Sequence, residues 1–164
     1  MRHFKRMRRG RLRRLTAGER ARVREIFGQS LDAERVRVYA QPISWWRRAF
    51  VASGRLVVWP WAAAATDFAA ADTPLRLQAT FVHEMVHVWQ AQQGINLLFA
   101  KLACGDGPAA YAYEITEGCR FSDFNIEQQA TAVEHAFLAR RGVKTPYPET
   151  AYASFLPDWL RKDA

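Results

Sequence analysis

Cysteine is scarce in this chain of 164 residues, which has only Cys104 and Cys119. Two thiols cannot build a disulfide scaffold, and their spacing is not the CxxC pairing of a thiolate zinc site or redox couple. They read as free buried thiols, with a disulfide closing the loop between them as the alternative. Long apolar runs are also missing. The longest, Leu56 to Ala65, has ten residues and contains Pro60, against the roughly 20 that a membrane-crossing helix needs. No transmembrane segment is therefore expected. No apolar h-region follows the basic start, so a signal peptide is not expected either. The protein should be cytoplasmic, or exported by a route that needs no such peptide. Acidic residues are absent from the first 14 positions, which hold eight of the 24 Lys and Arg. The other 150 residues balance 16 basic against 16 acidic side chains, so the formal net charge of +8 belongs to a terminal arm on a neutral body. That distribution argues against a chain built wholly as a nucleic-acid surface.

What is present suits a single packed domain. A hydrophobic fraction of 49 % with 13 % aromatics excludes global disorder, and the length fits one core. Self-repulsion among its cations makes residues 1–14 read as a flexible basic arm, available to an anionic surface. Residues 15–164 would then form the domain, ending in a C-terminal wrapping segment. Thr16 and Glu19 have capping-box spacing, so Ala17 to Phe27 reads as a helix stopped by Gly28. RVRVYA at 35–40 alternates like a half-buried strand, and RLVVWP at 55–60 is a second strand candidate. The alanine-rich stretch 62–71 fits a short helix or an irregular connection. Thr73 and Pro74 resemble an N-cap and a first-turn proline, opening a long helix that runs to about Gln93 before Gly94.

A short helix or turn is expected over 95–103, a loop at 104–108 and a shorter helix over 109–116. Asp123 or Asn125 can cap a further helix reaching Arg141. The tail, with Tyr147, Tyr152, Phe155 and Trp159, reads as a wrapped segment. Trp45, Trp46, Trp59 and Trp61 could line a cleft or fill the core. Arg47 and Arg48 beside Trp45 and Trp46 only superficially resemble a nucleic-acid patch.

The string carrying chemistry is HEMVH at 83–87. Inside a helix it places His83 and His87 on one face a turn apart, where both can meet one Zn2+ ion, and puts Glu84 where it can take a proton from an activated water. A catalytic zinc needs a third protein ligand, and the HExxHxxGxxH extension that would supply one is absent. Glu114, Glu117, Asp123, Glu127, Glu134 and His135 are the candidates. Glu127 is preferred, near the start of the next helix and one turn before Ala130, with Glu134 behind it. Gln90 could hydrogen-bond into the site, Tyr111 or Tyr113 could donate to a developing oxyanion, and His135 could orient a ligand.

The run FVHEMVHVWQAQQG, with FNIEQQATAVEHAF downstream, resembles small zinc metallopeptidases related to the DUF4157 group, including short bacterial proteins labelled vgr-related. LTAGERARVREIFGQSLDAERVRVY at 15–39 resembles their leading helix-and-strand block, and SGRLVVWP with DF at 67–68 resembles the segment before the metal helix. The resemblance covers about residues 15–140. It implies a small α+β zincin-like fold, mainly helical with a minimal sheet. His83, His87 and Glu127 would be the ligands of a gluzincin-like zinc site and Glu84 the catalytic base. It further implies a peptide or protein substrate and an association with secretion systems. A zinc-stabilised accessory module without catalysis is the competing expectation.

Overall fold

Thr16 opens the first helix by a reciprocal cap: its hydroxyl accepts from the Glu19 N–H, and the Glu19 carboxylate accepts from the Thr16 N–H. Among the described residues, 4–43, 47–105 and 107–157 of this computed structural model, six helices and four strands make a mixed α+β domain. They are β1 (Leu12–Arg14), α1 (Ala17–Phe27), β2 (Arg37–Gln41), β3 (Phe50–Ser53), β4 (Leu56–Pro60), α2 (Leu75–Gln92), α3 (Leu97–Cys104), α4 (Pro108–Tyr111), α5 (Ile126–Ala139) and α6 (Glu149–Phe155). The sequence expectations for Trp45, Trp46 and Trp159 fall outside the described residues. No helix among those described is long and apolar enough to cross a membrane.

The sheet has the order β1-β2-β4-β3, with β2 and β4 parallel and both outer pairings antiparallel. In the parallel register Val38 lies opposite Val57 and Ala40 opposite Trp59, all four buried. Val58 is buried on the opposite side of β4. A strand covered on both faces needs the unbroken apolar run that 56–59 supplies. From Trp59 the core continues through Phe68 to Phe81 on α2, with ring centroids 4.3 and 5.1 Å apart, so an aromatic stack seats the long helix on the sheet. At its other end α2 meets the β3–β4 hairpin so closely that a Cβ at Gly54 would stand 3.1 Å from Gln92 Cγ. Gln92 Nε2 donates to the Gly54 carbonyl there, at 2.9 Å. Gly94, at φ 88°, ends the helix as its position predicts.

Several expectations are corrected. The basic arm is not free over its described part. Met7 is buried, its N–H donates to the Ala64 carbonyl, Gly10 N–H donates to Ala40, and β1 pairs with β2. The guanidinium of Arg9 lies 3.9 Å from the Trp61 ring centroid. Charge repulsion among exposed arginines is weak in water and salt, and backbone pairing with Met7 burial outweighs it. Thr73 does not cap α2: its hydroxyl donates to the Asp67 carbonyl, and Pro74 takes the cap position. Residues 62–71 take the irregular form, one of the two expected for them, whereas the helix expected over 109–116 is a single turn that gives way to extended chain at Ala112. The wrapped tail contains a helix, α6, which buries Tyr152 and Phe155. No disulfide joins Cys104 and Cys119, and both are half-buried rather than buried.

Glu19 ties these parts together. It has no exposed surface, and its two oxygens accept from both terminal nitrogens of Arg13 at 2.6 and 2.7 Å, from Thr16 N–H at 2.8 Å and from Phe68 N–H at 2.8 Å. A buried charge so fully matched is costly to unmatch. Glu19→Ala should lower unfolding free energy by about 3–5 kcal/mol, read as a shifted midpoint in urea denaturation. A change within experimental error would show that the cluster is not structural.

Candidate metal centre

One helix cap sets the site. Asn125 Oδ1 accepts from the N–H groups of Glu127 and Gln128, and the Gln128 side chain accepts from Asn125 N–H. That box fixes the first turn of α5 and puts Glu127 at its second position, where the helix dipole favours a carboxylate. α5 packs along α2, so Glu127 arrives opposite His83 and His87. The three donor atoms converge: His83 Nε2 and His87 Nε2 are 3.2 Å apart, and each is 3.3 Å from Glu127 Oε2.

The far side of each imidazole is held. Gln90, fully buried, spends its amide hydrogens on the Ile126 carbonyl at 3.0 Å and Gln129 Oε1 at 2.8 Å. Its oxygen is thereby left to accept from His87 Nδ1, at 2.8 Å. His83 Nδ1 faces Glu134 Oε2 at 3.0 Å, and a carboxylate there is an acceptor only. Both rings therefore carry a proton on Nδ1, and in their neutral form both direct an Nε2 lone pair into the cluster. Two lone pairs and a carboxylate oxygen converging in this way repel one another unless positive charge sits among them. For His83 burial opposes the charged form, yet hydrogen bonds to Glu127 and Glu134 and the charge of Glu84 outweigh it and raise its pKa to about 10. Burial works on Glu127 in the opposite sense, and the hydrogen bonds from His83, His87 and Lys101 overcome it and hold that carboxyl well below its ordinary range. Burial raises Glu84, which is tempered by the charges of His87 and His83, and its Oε2 is a buried atom with no hydrogen-bond partner.

The donor set fits a divalent ion. Ligand atoms about 2.0–2.2 Å from zinc at tetrahedral corners stand roughly 3.3–3.6 Å from one another, close to the separations found. Of the other carboxylates weighed as ligands, Glu134 is the partner of His83, Asp123 pairs with Arg120 at 3.0 Å, and Glu114 and Glu117 are exposed. His135 lies away from the cluster, bonded to the Tyr113 hydroxyl at 2.7 Å, which also meets Tyr152 at 2.8 Å, so Tyr113 serves the core. Tyr111 does reach the site, its ring 6.5 Å from that of His83. Sequence reasoning missed Lys101, whose Nζ is 2.6 Å from Glu127 Oε1. The available signal was a lone cation in the apolar segment LLFAKLAC.

Fold and site together define an α+β domain in which a histidine pair on α2 and a glutamate on α5 form a cluster that could hold a metal ion. No protein-family model matches the chain. The chain is 29 % identical over 155 residues to the type VI secretion system spike protein VgrG2b of Pseudomonas aeruginosa, covering 88 % of this chain but 15 % of that protein. The solved effector domain of P. aeruginosa VgrG2b matches it with a TM-score of 0.68 at 29 % identity, over 87 % of this chain and 80 % of that one. Agreement in sequence and fold over most of both chains establishes homology with that effector domain.

Gln90→Leu leaves the Ile126 carbonyl, the Gln129 amide and His87 Nδ1 without their buried partner. At about 1–3 kcal/mol for each unmatched group, the variant should lose at least about 2 kcal/mol of stability in denaturation with chelator present. Wild-type stability would mean that water replaces the amide.

Proposed function

We propose that the chain is a secretion-associated effector module whose His83, His87 and Glu127 hold Zn2+, and that the site hydrolyses peptide or amide bonds with Glu84 as general base. The secretion association rests on the VgrG2b likeness. Hydrolysis rests on the site, above all on the buried Glu84 Oε2 that has no partner beside the cluster. Leaving a buried carboxylate oxygen unmatched costs stability, and a site that only braced the fold would gain nothing from it. Nitrogen and carboxylate donors suit zinc, and three protein ligands are the number found where one position is kept for water or substrate.

When bound, zinc lowers the pKa of a water and polarises a carbonyl. The chain's own contribution is to place and move protons. Gln90 and Glu134 hold both imidazoles with Nε2 turned inward, as such outer partners do in zinc sites. Glu84, its pKa raised by burial, accepts the proton of the attacking water and passes it to the leaving nitrogen. Tyr111, whose ring lies 6.5 Å from that of His83, is the oxyanion donor in this reading.

The second reading is a secretion-associated zinc module without catalysis, and the comparisons favour it over the hydrolase because they support a secretion association and no reaction. The two readings separate cleanly. The purified chain should carry one zinc by elemental analysis, His83→Ala should lose it, and Glu84→Gln should keep it while turnover of an unfolded protein substrate falls a hundredfold or more. Zinc retained with no turnover by either chain leaves the accessory module standing; equal turnover by both rejects Glu84 as the base; absence of zinc rejects both readings.

A further inference from the structure

Helix α3 is oriented the wrong way round for a helix on a globular body. Leu98, Phe99 and Leu102 are 69, 69 and 72 % exposed, while Leu97, Ala100, Lys101 and Cys104 occupy the half-buried side, and no residue of the helix is fully buried. Apolar burial therefore contributes little to holding α3 in place. Its one charged residue points inward. Lys101 Nζ lies 2.6 Å from Glu127 Oε1 and 3.0 Å from the Tyr111 hydroxyl, its carbon stem passing the half-buried side. Glu127 is thus divided between two partners: Oε1 belongs to the ammonium, and Oε2 faces His83 and His87 at 3.3 Å each.

We propose that Lys101 is a positioning residue of the metal centre, presenting Glu127 to the ion through Oε2 alone and at the same time holding α3 against the site. The inference rests on the metal reading of the cluster. Two effects of opposite sign act here, because an ammonium near a cation repels it while an ammonium on a ligand carboxylate orients that ligand. The geometry decides between them. Lys101 Nζ holds the far oxygen, Oε1, at 2.6 Å and leaves Oε2 facing both imidazoles, so the carboxylate stands between the ammonium and the cluster and orientation outweighs repulsion. The contact to Tyr111 adds a second anchor, tying α4 to the same lysine.

The test is Zn2+ affinity of the full chain, measured by competition with a chromophoric chelator, for the unsubstituted protein, Lys101→Met and Lys101→Arg. Lys101→Met should bind Zn2+ about 10–100-fold more weakly, with Lys101→Arg recovering most of the loss because it keeps charge and donor. Hydrogen exchange at residues 97–104 should slow on Zn2+ addition in the unsubstituted chain and in Lys101→Arg, and not in Lys101→Met. Binding by Lys101→Met as tight as or tighter than the unsubstituted chain overturns the proposal. So does a loss that arginine does not relieve, since that pattern marks damage to the helix, and so does exchange in α3 that ignores the ion. If the unsubstituted chain itself binds no Zn2+, the metal reading fails first and takes this inference with it.

Discussion

Three carboxylates and two imidazoles share the buried seam between α2 and α5, and that concentration of negative charge constrains everything around it. Glu84 and Glu127 are among the few charged side chains that the fold buries, and Glu134 reaches the same histidine from one side. Such a group is tolerable only where positive charge is supplied at the same place. Without an ion the structure supplies it from a protonated His83 and from Lys101. The precise caps of α5, the buried Gln90 and the inward turn of Lys101 all serve to hold the members of this cluster at donor distance from one another.

The parts of this arrangement that depend on neighbours in sequence were legible beforehand. HEMVH places its two histidines on one helical face by spacing alone, and the cap candidates Asp123 and Asn125 bracket where α5 starts, which with the turn to Ala130 brought Glu127 forward as the third member. The Thr16 and Glu19 cap was equally plain, because a capping box closes within four residues. What depended on distant partners was hidden. Nothing local to Thr73 says that its hydroxyl will be taken by the Asp67 carbonyl. The basic start looked free because its partners, Ala40, Ala64 and Glu19, lie in other segments. Lys101 was overlooked since a cation in a short apolar helix reads as its solvent side, whereas here the apolar side faces out.

Homology and geometry speak to different questions. The likeness to the VgrG2b effector domain runs across most of this chain and most of that domain, so it bears on the fold as a whole. It spans a small part of the full spike protein, and says correspondingly little about what the remainder of such a protein does. The chemistry has to be argued from the side chains: the orientation of Gln90 fixes which nitrogen of His87 faces inward, toward His83 and Glu127.

The fourfold matching of Glu19 also bears on how the chain folds. Its acceptors are satisfied from Arg13 and Thr16 close by but from Phe68 across a separation of 49 residues. Helix α1 is short enough to be marginal by itself, and until the 68 region arrives it would carry a carboxylate missing one of its donors. The parallel pairing of β2 with β4 requires loop closure of the same non-local kind. Helix formation in α2 and α5 can run ahead, but the sheet edge, the first helix and the loop leading into α2 must lock in one concerted event, so refolding should be limited by that closure and not by the assembly of the helices that carry the site.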